Sequence, residues 1–203
     1  LATSSAASDV YKRQDLNSES LVSEAYQKGV TMGSDLLHNE NKIPEFLVWA
    51  QRDKNGAPLQ RIQIIKGWID NNSGRPKEKV YDVACSDGMQ PDPTTNRCPD
   101  NGARVNINDC SISTNVGSSE LKTVWKDPEF APDDKTFYYV RVLENPTCRW
   151  STWDAIKAGY KPREGLHETI QERAWSSPIW YIPEQSDVEV VPLGGTIQLR
   201  NID

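Results

Sequence analysis

The sequence predicts a mainly β chain, an antiparallel β-sandwich-like domain with a few short helices. Three observations carry this expectation. Short segments of alternating apolar and polar residues recur at irregular spacing, separated by Pro, Gly, Asn and Asp clusters. The 13 prolines fall mostly between those segments, as ladder hydrogen bonding requires. No alternation of strand and helix points to a parallel sheet. Only 36% of residues are hydrophobic, but seven Trp, seven Tyr and three Phe can supply a core.

The elements follow in order. Residues 17–28 read as a helix, with Asn17, Ser18 or Ser20 as cap and Leu21, Val22, Ala25 and Tyr26 on one face. Gly29 is placed to end it in a left-handed cap, and 29–36 reads as a turn-rich loop. Residues 46–52 form a short apolar strand ending at Asp53-Lys54-Asn55-Gly56, a turn that favours hairpins. In the long strand 60–70, Ile62, Ile64 and Trp68 share one face, and Arg61, Gln63, Ile65 and Ile69 the other. Turn chemistry at 71–76 leads to a strand over 79–84, and 121–125 is a weaker strand. The strand over 136–144 is apolar on both faces, so it is expected to be central and buried on both sides. Ser151-Thr152-Trp153-Asp154 has capping-box spacing and opens a helix that Gly159 ends; 164–173 reads as another short helical turn. Residues 172–182 read as a strand pair or one bent strand, interrupted at Pro178. Val188, Val190, Ile197 and Leu199 flank Gly194-Gly195 as a final hairpin.

The chain begins with Leu, and 4–14 looks like the translation of a transposase adapter used to prepare sequencing libraries. The alternative is a genuine N-terminal tail. The expected organisation is a non-native tail at 1–14, a helical segment and loop at 15–45, the sandwich at 46–183, and a hairpin or tail at 184–203. On this reading the chain is a fragment of a longer, metagenomic bacterial product.

Charge excludes some functions. Lys and Arg number 23 and Asp and Glu 29, a formal charge of −6, which argues against a nucleic-acid or anionic-membrane partner. The longest purely apolar run, 46–50, is far too short to span a membrane.

Chemistry-bearing residues are sparse. Cys85, Cys98, Cys110 and Cys148 contain no C-x-x-C, so the usual zinc and redox signatures are absent. Three of them lie in a Pro-, Asp- and Asn-rich loop that cannot hold itself together by burial. Of the three pairings, Cys85–Cys98 with Cys110–Cys148 is favoured; four reduced cysteines in a cytoplasmic protein is the alternative. Disulfides would imply an oxidising compartment, periplasmic or extracellular. Asp87, Asp92, Asp100 and Asp109 in the same loop match no calcium motif and read as a solvated acidic loop. The two histidines, His38 and His167, are isolated and read as surface loop residues, so no cofactor is expected in this fragment. No nucleophile elbow, P-loop or G-x-G-x-x-G occurs.

Most of the seven Trp are expected in the core or rim. Arg149, Trp150 and Trp153 are the exception considered, as a platform on which a sugar could stack. Arg141, Arg149 and Arg173 sit on or beside apolar strands, with Glu144, Asp154 and Glu172 as candidate carboxylate partners.

Several motifs in order resemble a family. They are Gly-Val-Thr-Met-Gly-Ser-Asp-Leu at 29–36, Arg-Ile-Gln-Ile-Ile-Lys-Gly-Trp at 61–68, Phe-Tyr-Tyr-Val-Arg-Val-Leu-Glu at 137–144, Arg-Trp-Ser-Thr-Trp-Asp at 149–154, and Gln-Glu-Arg-Ala-Trp-Ser-Ser-Pro-Ile-Trp-Tyr at 171–181. Together they resemble the C-terminal part of the bacterial domain of unknown function 3604, over about residues 20–183. Thr31 departs, since the family often has Pro there. Full-length members look related to metal-dependent phosphoesterases of the polymerase-and-histidinol-phosphatase type. The resemblance therefore implies a divalent metal held by an upstream domain, and none of its ligands maps onto this chain. The expectation is a C-terminal accessory domain of a larger exported protein, its partner being its own N-terminal hydrolase domain. Asp35, in the polar glycine-flanked loop, is the candidate contact residue. The rival reading is a carbohydrate-binding or other interaction module. The sequence leaves substrate and oligomeric state open.

Overall fold

The structure is a computed structural model that describes residues 16, 18–39, 42–71 and 73–184, with the backbone alone of 2–7. The expected final hairpin lies outside the described residues.

The N-terminal part runs β1 (Ala2–Ala7), α1 (Leu21–Lys28), β2 (Gly29–Thr31), β3 (Asp35–Leu37) and β4 (Glu45–Gln51). The middle part comprises β5 (Leu59–Ile69), β6 (Pro76–Cys85), β7 (Val105–Asn106), β8 (Ser111–Ile112) and β9 (Glu120–Lys126). The last part comprises β10 (Thr136–Glu144), β11 (Thr147–Cys148), α2 (Trp150–Ala158), β12 (Thr169–Ile170), β13 (Arg173–Trp175) and β14 (Ile179–Ile182).

Two sheets form the sandwich. One has the order β2-β1-β4-β9; the other has the order β3-β14-β10-β5-β6, with β13 also on β10. Pairing is antiparallel except between β14 and β3. The core lies between the layers. Phe46, Val48 and Ala50 of β4 and Leu121 of β9 meet Ile62 and Ile64 of β5, Tyr138, Val140 and Val142 of β10, and Ile179 and Tyr181 of β14. Each inward residue is two positions from the next, as the strand period demands. Within the segment set aside as non-native, β1 fills the slot between β4 and β2 by backbone pairing. Such pairing is open to any extended chain beside a free strand edge.

Several elements differ from expectation. The Asp53–Gly56 turn does form, with Gly56 N donating to Asp53 O at 3.0 Å, but it joins the two sheets and closes no hairpin. Pro58 follows it, and lacking an N–H it cannot continue a ladder. β10 is central as expected, but its outer face is only partly buried: Leu143 is buried while Phe137, Tyr139 and Arg141 are half-buried. The 29–36 loop holds two short strands around a turn. Gly29 is extended (φ −121°) because it already belongs to β2. α2 begins at Trp150, so Ser151 lies inside the first turn and no side chain caps it; Gly159 ends it at φ +76°, in the left-handed region. Residues 164–173 are not helical. β12 pairs with β11, and Arg173 begins β13.

β13 and β14 share one edge of β10. They are separated by a kink where the Ser176 hydroxyl accepts from Val140 N at 2.9 Å and Ser176 N donates to Val140 O at 3.0 Å. Pro178 cannot donate to that ladder, which is why the strand breaks there.

Candidate functional site on the outer sheet face

The outward residues of the β3-β14-β10-β5-β6 sheet form rows set by register. One row runs Glu78, Gly67, Phe137, Trp180 and Asp35 across five strands. A second runs Asp82, Gln63, Arg141 and Trp175, and a third Cys85, Arg61, Leu143 and Arg173. The face thus has an aromatic end and an arginine end about four residues, or roughly 13 Å, apart along β10.

Gly67 shapes the aromatic end. The Phe137 ring lies across it, so closely that a Cβ at Gly67 would stand 2.2 Å from Phe137 Cζ. Trp180 packs on Phe137 with ring centroids 5.2 Å apart, and Tyr139 stacks on Phe137 at 6.4 Å. A groove of about 500 Å³ opens beside them, walled by Ile69, Pro76 and Trp180. Leu37 and Trp180 are exposed at its β3 side. Asp35, the expected contact residue, is exposed on this edge strand in the same row as Trp180.

Asp82 organises the arginine end. It is 4% exposed, accepts from Cys98 N at 2.7 Å and Gln63 Nε2 at 2.6 Å, and lies 3.6 Å from Arg61 Nε and 3.5 Å from Arg97 Nη1. Gln63 Oε1 in turn accepts from Arg141 Nε at 2.7 Å. The Cys85–Cys98 disulfide pins the loop that carries Arg97 over this edge. Arg61 also donates to Gln60 Oε1 through Nη1, while its buried Nε makes no hydrogen bond among the described residues. Its pKa is lowered by burial first, then opposed by Asp82 and lowered further by Arg97, Arg141 and Arg173. The expected carboxylate partners are not used. Arg141 bonds an amide, with Glu144 on the other face of β10, and Arg149 and Arg173 have no carboxylate partner among the described residues.

The most buried charges serve the core. Lys66 Nζ is 2.6 Å from Asp127 Oδ2 and donates to Glu129 O at 2.7 Å, and Tyr138 OH donates to Asp127 Oδ2 at 2.8 Å. Burial first, then the Asp127 charge, holds the Tyr138 hydroxyl far above its ordinary range, so it remains a donor. Burial pushes Tyr181 up to about 12. Its hydroxyl donates to Pro132 O at 2.9 Å and lies 2.6 Å from His38 Nδ1, so His38 is tied to the core rather than lying free in a surface loop. His167 is exposed.

The loop carboxylates serve turns. Asp92 accepts from Thr94 N and Thr95 N, Asp100 from Gly102 N and Arg104, and Asp109 from Ser111 N; these hydrogen bonds lower the pKa of all three. Among the described residues no group of three or more His, Cys, Asp or Glu is arranged to hold a metal.

Both expected disulfides are present, Cys85–Cys98 and Cys110–Cys148. The second anchors α2, whose first turn carries Trp150, 71% exposed, and Trp153, with Lys157 Nζ 4.7 Å over the Trp153 ring. Arg149 precedes this turn and its Nε is buried without a hydrogen bond. Four of the seven Trp, Trp150, Trp153, Trp175 and Trp180, are exposed, so fewer of them lie in the core than expected. Trp175, Trp180, Phe137 and the arginine cluster were not anticipated as site residues. Alternation within β5 and β10 shows which residues share a face, but register across strands is not written in either segment.

No helix among the described residues is long and apolar enough to cross a membrane. No curated protein and no solved structure matches the chain. One family model, described as a protein of unknown function (DUF3604), matches residues 6–183. That span includes every motif that suggested the resemblance and every strand from β2 to β14, so the chain belongs to the DUF3604 family.

Proposed function

We propose that this chain is an accessory domain of an exported bacterial protein, shaping a metal-dependent, phosphoesterase-like hydrolase domain of the same polypeptide. The observation that carries the reading is the aromatic end of the outer face. There an apolar groove of about 500 Å³ opens beside exposed Trp180, and exposed Leu37 and Asp35 lie on the neighbouring strand in register with Ile182 and Trp180. Exposed apolar ground of this kind marks an interaction surface. The two disulfides support an oxidising compartment. In the longer protein, Asp35→Ala and Leu37→Asp are expected to lower hydrolysis several-fold without unfolding this domain. Unchanged activity and stability in both variants would remove the support for this reading.

A second reading is a carbohydrate-binding module, favoured by Trp150, which is 71% exposed on a disulfide-anchored helix. Glycan binding lost on Trp150→Ala or Trp153→Ala would establish it.

A further inference from the structure

We infer that the arginine end of the outer sheet face is a binding site for an oxyanion borne on a sugar ring, a sulfate ester or a uronate carboxylate, with Trp175 as the stacking surface. The site is distinct from the groove beside Gly67 and from the α2 platform. The inference does not rest on the accessory-domain reading, because it is measured on this chain alone.

Four guanidinium groups converge there. Arg61 and Arg173 stand in one row, on either side of Leu143 of β10. Arg141 stands in the next, opposite Trp175, and Arg97 reaches in from the disulfide-closed loop. The charges acting on Arg61 are one carboxylate, Asp82, against Arg97, Arg141 and Arg173. Asp82 pairs with Arg61 and Arg97 and also accepts from Cys98 N and Gln63, so it is fully used. This excess of positive charge stands in a chain whose net charge is −6.

Structure alone does not require such a cluster. Like charges held together on a half-buried face repel, and Asp82, which pairs with Arg61 and Arg97, leaves Arg141 and Arg173 without a carboxylate. Donors are available: Arg173 is exposed with no partner of its guanidinium found among the described residues, and the Arg97 side chain is half exposed. Planar guanidinium forks match sulfate and carboxylate geometry. Trp175 is 58% exposed and pairs in register with Arg141, so a ring can lie on the indole while its oxyanion meets the arginines.

The test is calorimetric titration of the 203-residue chain with three probes: a kappa-carrageenan tetrasaccharide, which bears sulfate esters and no uronate, a tetragalacturonate and cellotetraose. Saturable binding of the sulfated probe, the uronate probe or both, weakening as salt rises, is expected, and the stronger of the two identifies the oxyanion. Arg173→Ala and Trp175→Ala, both at exposed positions, should each weaken binding about tenfold, the loss of one charged hydrogen bond or one stacking face. Trp175→Phe should restore most of the affinity. Melting temperatures of the variants should match the parent, which separates a lost contact from a lost fold. Binding of neither anionic probe, equal binding of cellotetraose, or affinity indifferent to both alanine variants would overturn the inference.

Discussion

Asp127→Ala perturbs the most deeply buried ion pair in the fold. Asp127 is 1% exposed and Lys66 2%, so the variant leaves an ammonium inside the sandwich with Glu129 O as its remaining hydrogen-bond acceptor. Breaking a buried pair from one side costs about 3–5 kcal/mol, because the surviving charge keeps its desolvation penalty. Tyr138 OH loses its acceptor as well, a further cost of about 1–3 kcal/mol that overlaps the first, since both groups share one carboxylate. At about 2–4 °C per kcal/mol for a chain of this size, the melting temperature should fall by roughly 6–20 °C. Urea unfolding with an unchanged m-value would assign the loss to the native state. The double variant Lys66→Met/Asp127→Leu should recover most of it, because an apolar pair leaves no orphaned charge. A loss below about 1 kcal/mol in Asp127→Ala, the scale of an exposed pair, would refute the reasoning.

Other perturbations have equally definite outcomes. Replacing Cys110 and Cys148 together by Ser opens a loop with a sequence separation of 38; the chain-entropy estimate is a loss of about 4 kcal/mol, against about 3 kcal/mol for the Cys85 and Cys98 pair, read by chemical denaturation. Gly67→Ala forces the Phe137 ring off its seat and should cost about 1–3 kcal/mol by overpacking, visible in thermal melts and in the near-ultraviolet signal of the ring stack. Acid should destabilise the chain. Asp92, Asp100, Asp109, Glu120 and Glu129 all have folded pKa values lowered by hydrogen bonds, so their stabilisation is present above the unfolded pKa and is lost as pH falls through the folded one. Glu144, raised by burial, acts in the opposite sense, so Glu144→Gln should steepen the loss of melting temperature between pH 7 and pH 3. A flat profile over that range would contradict the assignment.

Much of the fold was legible because strand periodicity is a local property. The alternation at 136–144 marks β10, and the period of two puts Ile62, Ile64 and Trp68 on one face, as the register of β5 against β10 shows. The disulfide pairing followed from loops too polar to fold by burial. What failed depended on distant partners. The Asn55-Gly56 turn has hairpin chemistry, yet its strands belong to different sheets. The segment 164–173 carries helix-compatible residues, but β11 and β10 recruit parts of it as strands. Arg141 sits where its strand neighbours suggested a carboxylate, but Glu144 is an odd number of residues away and so faces elsewhere; the partner is Gln63, from a strand 78 residues distant. The aromatic and arginine ends of the outer face exist only once five strands are in register, so no single segment could announce them.

Hydrolysis of a phosphoester substrate, measured side by side for the 203-residue chain and for the longer polypeptide with divalent metal added, tests the accessory-domain account most directly. It predicts turnover by the longer protein that chelation abolishes, and none by this chain alone. Metal-dependent turnover by the 203-residue chain would contradict it.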